Sequence, residues 1–370
     1  MSEIKTQYKK GGLPLVAVKA AEGFFSQVGS ISSVMKLIGK EIKYRDRYPL
    51  SMTDRVAAWR NGFSSKTYAS LSLMDRDPND YLSDIEQRNL VRPGVNEEYV
   101  DIIENKAAFH KSTSPYSNNL PVVYGSINNG DYLSVEDKSQ NMFSTLHKEG
   151  NLIIKPAAGK AGRRVHRLSY DGSSYYVNGD KKRKEAIEKW ISSIDNYVVV
   201  EFIDQDQYSD NIFPDSVNTI RILTIRDPDT KNFFIGRAIH RFGSQSSIPT
   251  DNWSRGGYAA AVEIETGEIG RLWKYSREKG LESYKKHPET DQPVTGTKVP
   301  DWEKIKESVL EMAEIHRENP YVGWDVVLSR NGPKIIEGNC APGTITLQIE
   351  NGLLSENRIH RFFNSVSGQE

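Results

Sequence analysis

Apolar residues between Leu15 and Ile42 recur at steps of mainly three and four. Leu15, Val18, Ala21, Phe24, Phe25, Val28, Ile31, Val34, Leu37 and Ile38 would share one buried helical face. Gly23 and Gly29 weaken or divide that helix, and Pro14 suits a position just ahead of it. A second helix is predicted from Ser51 or Thr53, with Asp54 in its first turn. The run Asp75-Arg-Asp-Pro-Asn-Asp80 has the chemistry of a loop. The first hundred residues therefore read as mainly helical.

From about Pro121 the pattern changes to short β-branched and aromatic runs. Strands are predicted at Leu152–Lys155, Tyr197–Ile203, Thr219–Arg226, Phe233–Arg241, Tyr258–Ile264, Trp324–Ser329 and Lys334–Glu337. Helices are predicted at Lys181–Ser193 and Trp302–Glu318, and Glu278–Pro300 reads as an exposed connector. Strands mixed with isolated helices imply an α+β fold with antiparallel pairs rather than a βαβ alternation. The chain divides by character into a helical region 1–100 and two α+β units, 101–205 and 206–370.

Composition narrows the function. The 370 residues carry 49 Lys+Arg against 49 Asp+Glu, which removes any whole-surface attraction to nucleic acid or anionic membrane. A single cysteine, Cys340, excludes an internal disulfide framework and points to a reducing, cytoplasmic setting. No run approaches the ~18 apolar residues of a membrane span, and Met1–Gly12 lacks a signal-peptide core.

The most informative segment is Gly323-Trp-Asp-Val-Val-Leu-Ser-Arg-Asn-Gly-Pro-Lys-Ile-Ile-Glu-Gly-Asn339, two apolar runs about a turn. Glu337 and Asn339 share a strand face, and Asp325 joins them only if it lies across from Glu337. Two carboxylates and an amide oxygen then form a hard-oxygen cluster suited to Mg²⁺, although solvated acids at a strand end have the same pattern. In an antiparallel ladder the paired numbers have a constant sum. That sum must be 662 here, so the connection must have an odd number of residues. Pro333 has no N–H and disfavours an α-type Gly332, so a five-residue loop, Ser329–Pro333, is expected.

A second signal is Leu152-Ile-Ile-Lys-Pro-Ala-Ala-Gly-Lys-Ala-Gly-Arg-Arg-Val165. A strand lysine, Lys155, precedes a small-residue loop with Gly159, Lys160 and Gly162, whose N–H groups can turn toward phosphate oxygens. Its spacing is not that of a P-loop, and a glycine hairpin with exposed cations has the same pattern. With little apolar anchorage the loop is expected to be mobile without nucleotide. Asn218 and Arg221 stand out in the apolar run Val217–Thr224, and Arg237 and Arg241 follow at same-face spacing. Arginines on interior strands answer a carboxylate or a phosphate. Cys340 has no histidine near it in sequence, and His110, His166 and His240 stand singly without metal-ligand spacing.

Taken in order, these elements resemble the ATP-grasp superfamily, and most closely its sugar-transfer-associated branch. They are Asn105-Lys106; Lys155 with Gly159 and Gly162; Glu201-Phe202-Ile203; Asn218-Thr-x-Arg221; Asn252 with Gly256, Gly257 and a following Thr266-Gly267; and Asp325…Glu337-x-Asn339-x-x-Pro342-Gly343. The resemblance covers roughly residues 55–350 and leaves the first 50 unmatched. It implies two α+β subdomains clasping ATP, with Mg²⁺ (two ions, Mn²⁺ an alternative) on Asp325, Glu337 and Asn339. Lys106 and Lys155 would meet the phosphates under the glycine loop, and the Glu201–Ile203 backbone would read the adenine edge. Gln207 and Asp210 compete for the ribose, Asn218 and Asn252 would count among the nucleotide-binding residues, and Arg221 and Arg237 would face the γ-phosphate and the acyl phosphate.

The implied activity is ATP-dependent carboxylate–amine ligation through an acyl phosphate, with small-molecule or glycan substrates and no nucleic acid. The branch suggests tailoring of a cell-surface polysaccharide or glycoconjugate precursor, with peripheral contact to a lipid-linked assembly system. A phosphotransferase and a non-catalytic ATP-binding scaffold are the alternatives.

Overall fold

A computed structural model describes residues 31–44, 46–91, 99–137, 139–158 and 164–368, with the side chains of 31–36 not included. The helix predicted from Leu15 is described only from Ile31, as Ile31–Tyr44. The glycine loop, including Gly159, Lys160 and Gly162, lies outside the described residues. The second helix is Met52–Arg60, and the Ser51 hydroxyl caps it by accepting from the Asp54 N–H.

Among the described residues, fourteen strands follow in two antiparallel seven-stranded sheets. The first sheet contains β1 (Val123–Asn128), β2 (Asp131–Ser134), β3 (Asn151–Pro156), β4 (His166–Tyr170), β5 (Tyr175–Val177), β6 (Asp180–Lys182) and β7 (Tyr197–Glu201), in the order β2-β1-β7-β3-β4-β5-β6. Alternation in β3 and β7 sends Leu152, Ile154, Tyr197 and Val199 against helices Met142–Glu149 and Lys184–Ile191. Ile153, Val198 and Val200 pack together on the opposite face.

The second sheet contains β8 (Ile220–Arg226), β9 (Phe233–Phe242), β10 (Tyr258–Val262), β11 (Ile269–Ser276), β12 (Gly280–Tyr284), β13 (Tyr321–Ser329) and β14 (Gly332–Asn339), in the order β12-β11-β10-β9-β8-β13-β14. One face buries Ile222, Val322, Trp324 and Val326 against Ile305, Val309 and Met312 of helix Trp302–Ile315. Among the described residues, helical cover on the other face lies at one end, where Leu223, Ile225, Ile239 and Tyr321 meet Ile359, Phe362 and Phe363 of helix Asn357–Ser367. The uncovered end of that face carries the polar residues of interest. Among the described residues no helix is long and apolar enough to cross a membrane.

Two expectations are corrected here. The segment Glu278–Pro300 is not an exposed connector: it contributes β12 and buries His287, Val294 and Val299. Asp325 does face Glu337, but the connection is the two-residue turn Arg330-Asn331, with Ser329 opposite Gly332. Near the turn the paired numbers sum to 661. Beyond a bulge at Ile336 they sum to 662, as in Asp325↔Glu337 and Gly323↔Asn339. Gly332 begins β14 at φ 106°, a value that a side chain would strain. The missing residue of parity is supplied inside the strand, not in the loop.

Candidate functional site

The two uncovered sheet faces turn toward each other across a cleft of about 570 Å³. Ile153 and Lys155 of β3 and Val200 and Glu201 of β7 form one wall. Arg221 of β8, Arg241 of β9, Asp325 and Val327 of β13 and Ile336, Glu337 and Asn339 of β14 form the other. Phe202 and Ile203, which leave β7 toward the second sheet, close the apolar end together with Val165. The Arg167 guanidinium lies 4.1 Å from the centre of the Phe202 ring. Ile336 and Glu337 are consecutive yet both line the cleft. A regular strand would send them to opposite faces, and the bulge removes that alternation.

At the polar end, Asp325 is 2% exposed and accepts from Arg221 twice, Nε to Oδ1 at 2.7 Å and Nη2 to Oδ2 at 2.6 Å. Arg241 Nη2 adds a third bond at 3.1 Å. Burial would push this carboxyl up, but the two guanidinium groups outweigh it and hold it well below the usual carboxylate range. Arg241 also lies 3.4 Å from Asp251 and donates to the Thr219 hydroxyl, which in turn bonds Asp251. Burial pushes the Asp251 carboxyl up despite that cation. Thr219 and Asp251 line the cleft, and neither stands out in the sequence.

Lys106 opens helix Lys106–Thr113, which Asn105 caps by accepting from the Ala107 and Ala108 N–H groups. Its Nζ is 3.6 Å from Glu337. Lys155 has no carboxylate within salt-bridge distance among the described residues. Burial first, and the Lys106 charge second, lower its pKa to about 8, with Glu337 opposing. Glu201 is occupied: its carboxylate accepts from the Val122 N–H at 2.9 Å and lies 3.8 Å from Lys334.

The donor set fits a hard divalent cation, with Glu337 as its principal ligand. A carboxylate offers about four lone-pair positions, and three hydrogen bonds on Asp325 leave roughly one. Glu337 meets the Lys106 ammonium, the neighbouring Asp325 carboxyl and the Asn339 amide nitrogen, 3.5 Å from its Oε1, so the Asn339 carbonyl oxygen is available. Among the described residues no three His, Cys, Asp or Glu side chains form a metal-binding group, so the remaining ligands would be phosphate or water oxygens.

Several expected residues lie elsewhere. Arg237 shares the Arg241 face but sits four residues back, roughly 13 Å along the strand, where it donates to the Gly352 carbonyl at 3.0 Å. Asn218 is buried and staples the chain, donating to the Phe213 and Ser209 carbonyls and accepting from the Gly243 N–H. Gln207 and Asp210 lie on helix Gln207–Ile212 and do not line the cleft. Asn252 does line it, and it caps the turn Trp253–Arg255 by accepting from the Ser254 N–H. Cys340 is buried beside Asn319.

Two sheets that clasp a cleft, with lysines on one wall and acids on the other, define the ATP-grasp fold. The chain belongs to the family described as sugar-transfer associated ATP-grasp, whose model matches residues 86–362. The chain is similar in structure to the ATP-grasp ligase PsnB complexed with minimal precursor, at 10% identity and a TM-score of 0.39, covering 75% of this chain and 64% of that one. It is also similar to an L-amino acid ligase from Bacillus licheniformis, at 13% identity and a TM-score of 0.39, covering 73% and 50%. A third similar structure is the D-alanine–D-alanine ligase from Bacillus anthracis, at 14% identity and a TM-score of 0.37, covering 75% and 68%. No curated protein matches the chain by sequence.

Proposed function

We propose that the chain is an ATP-dependent carboxylate–amine ligase working through an acyl phosphate. The observation that carries this reading is the opposition of Lys106 and Lys155 to Asp325, Glu337 and Asn339 across a cleft with an apolar end. Ile153, Val200, Phe202 and Ile336 sandwich the adenine, and backbone groups at Glu201–Ile203 read its edge. Lys106 and Lys155 neutralise the phosphate oxygens. Asp325 fixes Arg221 and Arg241 before substrate arrives, so their charges need no reorganisation during the reaction. Arg241 takes the place that the family resemblance allotted to Arg237. Asp325, Glu337 and Asn339 would hold Mg²⁺, which would supply charge neutralisation at the transferring phosphoryl group.

In this scheme a substrate carboxylate oxygen attacks the terminal phosphorus and ADP leaves. An amine then attacks the acyl carbon, phosphate departs and the amine loses a proton. No covalent nucleophile on the protein is needed, in keeping with the burial of Cys340. The substrates are small-molecule or glycan carboxylates and amines, and the product a tailored polysaccharide or glycoconjugate precursor, a reading the family's description supports. ADP release, screened over sugar acids and amines, tests the proposal. Release that requires both partners supports ligation. Release with one partner and a stable phosphoester indicates a phosphotransferase. Nucleotide binding without turnover indicates a scaffold.

A further inference from the structure

The helical region before the family-matched segment is also a wall of the cleft. Lys40 on helix Ile31–Tyr44, Lys66 on helix Ser65–Ser70 and Asp84 line the same cavity as Glu337, Asn339 and Thr344. The region is tied down beside it: Arg47 Nη2 donates to the Ser254 carbonyl at 3.1 Å, and Tyr48 packs on Tyr275 with ring centroids 4.8 Å apart; just past its end, Gln87 donates to the Pro342 carbonyl at 2.6 Å.

The charges on this wall do not balance. Asp84 is already committed, accepting from Lys40 Nζ at 2.5 Å and from the Ser64 N–H at 2.7 Å. Lys66 has no hydrogen bond and no carboxylate within salt-bridge distance among the described residues. Its Nζ lies 5.1 Å from the centre of the Tyr44 ring. Its charged neighbours are Lys40 and Arg47, which repel it, and Asp84, which Lys40 already neutralises. Burial, more than these charges, lowers its pKa. A largely buried ammonium with a surplus of like charge is costly unless an anion meets it. Lys106 and Lys155, on the other side of the cavity, are near Glu337 and suit the phosphates.

We infer that Lys66 is the docking point for an acidic oxyanion on the substrate that is not nucleotide, so the helical region provides that substrate's subsite. This rests on the ligase reading for the identity of the neighbouring nucleotide site, but its chemistry is that of Lys66 alone. A carboxylate, as on a sugar acid, and a phosphoryl group, as on a sugar phosphate, would both satisfy it.

The test titrates the full chain, by calorimetry with Mg·ADP present, with D-glucuronate, glucose 1-phosphate and uncharged glucose. The parent is expected to bind at least one anionic probe and to bind glucose more weakly. Lys66→Met should weaken that binding by roughly tenfold or more, the loss of one charge-assisted contact, and Lys66→Arg should recover most of it. Binding of only one anionic probe names the group as carboxylate or phosphoryl. The thermal stabilisation given by Mg·ATP should be the same in Lys66→Met and the parent, which also shows the variant folded. Failure of every anionic probe to bind the parent, or unchanged binding by Lys66→Met, overturns the inference. Absence of any Mg·ATP stabilisation in the parent would instead sink the nucleotide reading and leave Lys66-dependent anion binding standing.

Discussion

Asp325 lies directly across the β13–β14 ladder from Glu337, and the two carboxyls have different surroundings. Asp325 is buried under two arginines, whereas Glu337 faces the cleft and Lys106. One anchors the site's cations and the other is open to ligand. Substitutions at the two should therefore separate.

Glu337→Gln should leave the unfolding free energy within about 0.5 kcal/mol of the parent, because the side chain is not part of the core. It should also remove the stabilisation that Mg·ATP gives by mass action. Asp325→Asn should cost about 3 kcal/mol in urea unfolding, since it leaves Arg221 without its counter-charge and Arg241 with Asp251 alone. Equal midpoints for the two variants would contradict this division.

Lys155 supplies a pH signature. Its folded pKa, about 8, is below the unfolded value, so the unfolded chain binds more protons between pH 8 and the ordinary lysine range. This residue's contribution to ligand-free stability should rise with pH through that window and be flat below it. A nucleotide phosphate beside Lys155 would raise that pKa, so binding near pH 8–9 should take up protons. Calorimetry in buffers of different ionisation enthalpy measures the uptake, and Lys155→Met should abolish it. Equal uptake in parent and variant would assign it elsewhere.

Arg237 and Arg241 offer a contrast within one strand face. Arg241→Lys should reduce the Mg·ATP thermal shift, because it breaks the contacts to Asp325, Thr219 and Asp251. Arg237→Lys should leave that shift intact while altering stability through Gly352. A larger nucleotide effect at Arg237 would restore it to the site.

Asn218→Ala should destabilise by roughly 1–3 kcal/mol, since the Phe213 and Ser209 carbonyls and the Gly243 N–H lose a buried partner. A nucleotide-saturated sample should show the same loss as a free one. A loss found only with nucleotide present would make Asn218 a ligand contact.

The α+β character was legible because strand alternation is a local rule, and so was the facing of Asp325 and Glu337, although the bulge that delivers it was not. The choice between Arg237 and Arg241 was not legible. Both lie on one face, and only helix Asn357–Ser367, more than a hundred residues on, decides which end is covered. Asn218 looked like a ligand because a buried amide and a site amide have the same neighbours in sequence. Segment 278–300 looked solvated because its polar residues outnumber Val294 and Val299, the side chains it buries. Lys66 has no motif at all, and its place on the cleft wall depends on how the helical region packs.

The bulge at Ile336 has a consequence for chain length. The same residues could form a regular ladder closed by a three-residue turn, Arg330–Gly332, and Asp325 would still meet Glu337. In that isomer, however, Ile336 would point away from the cleft. A one-residue deletion at Ile336 would likewise straighten the strand and keep the two acids opposed. Pairing of the acids is thus tolerant of a length change, while the greasy side chain beside them is not. Variation in hairpin length would alter how snugly a flat ring is gripped before it disturbed the ion site.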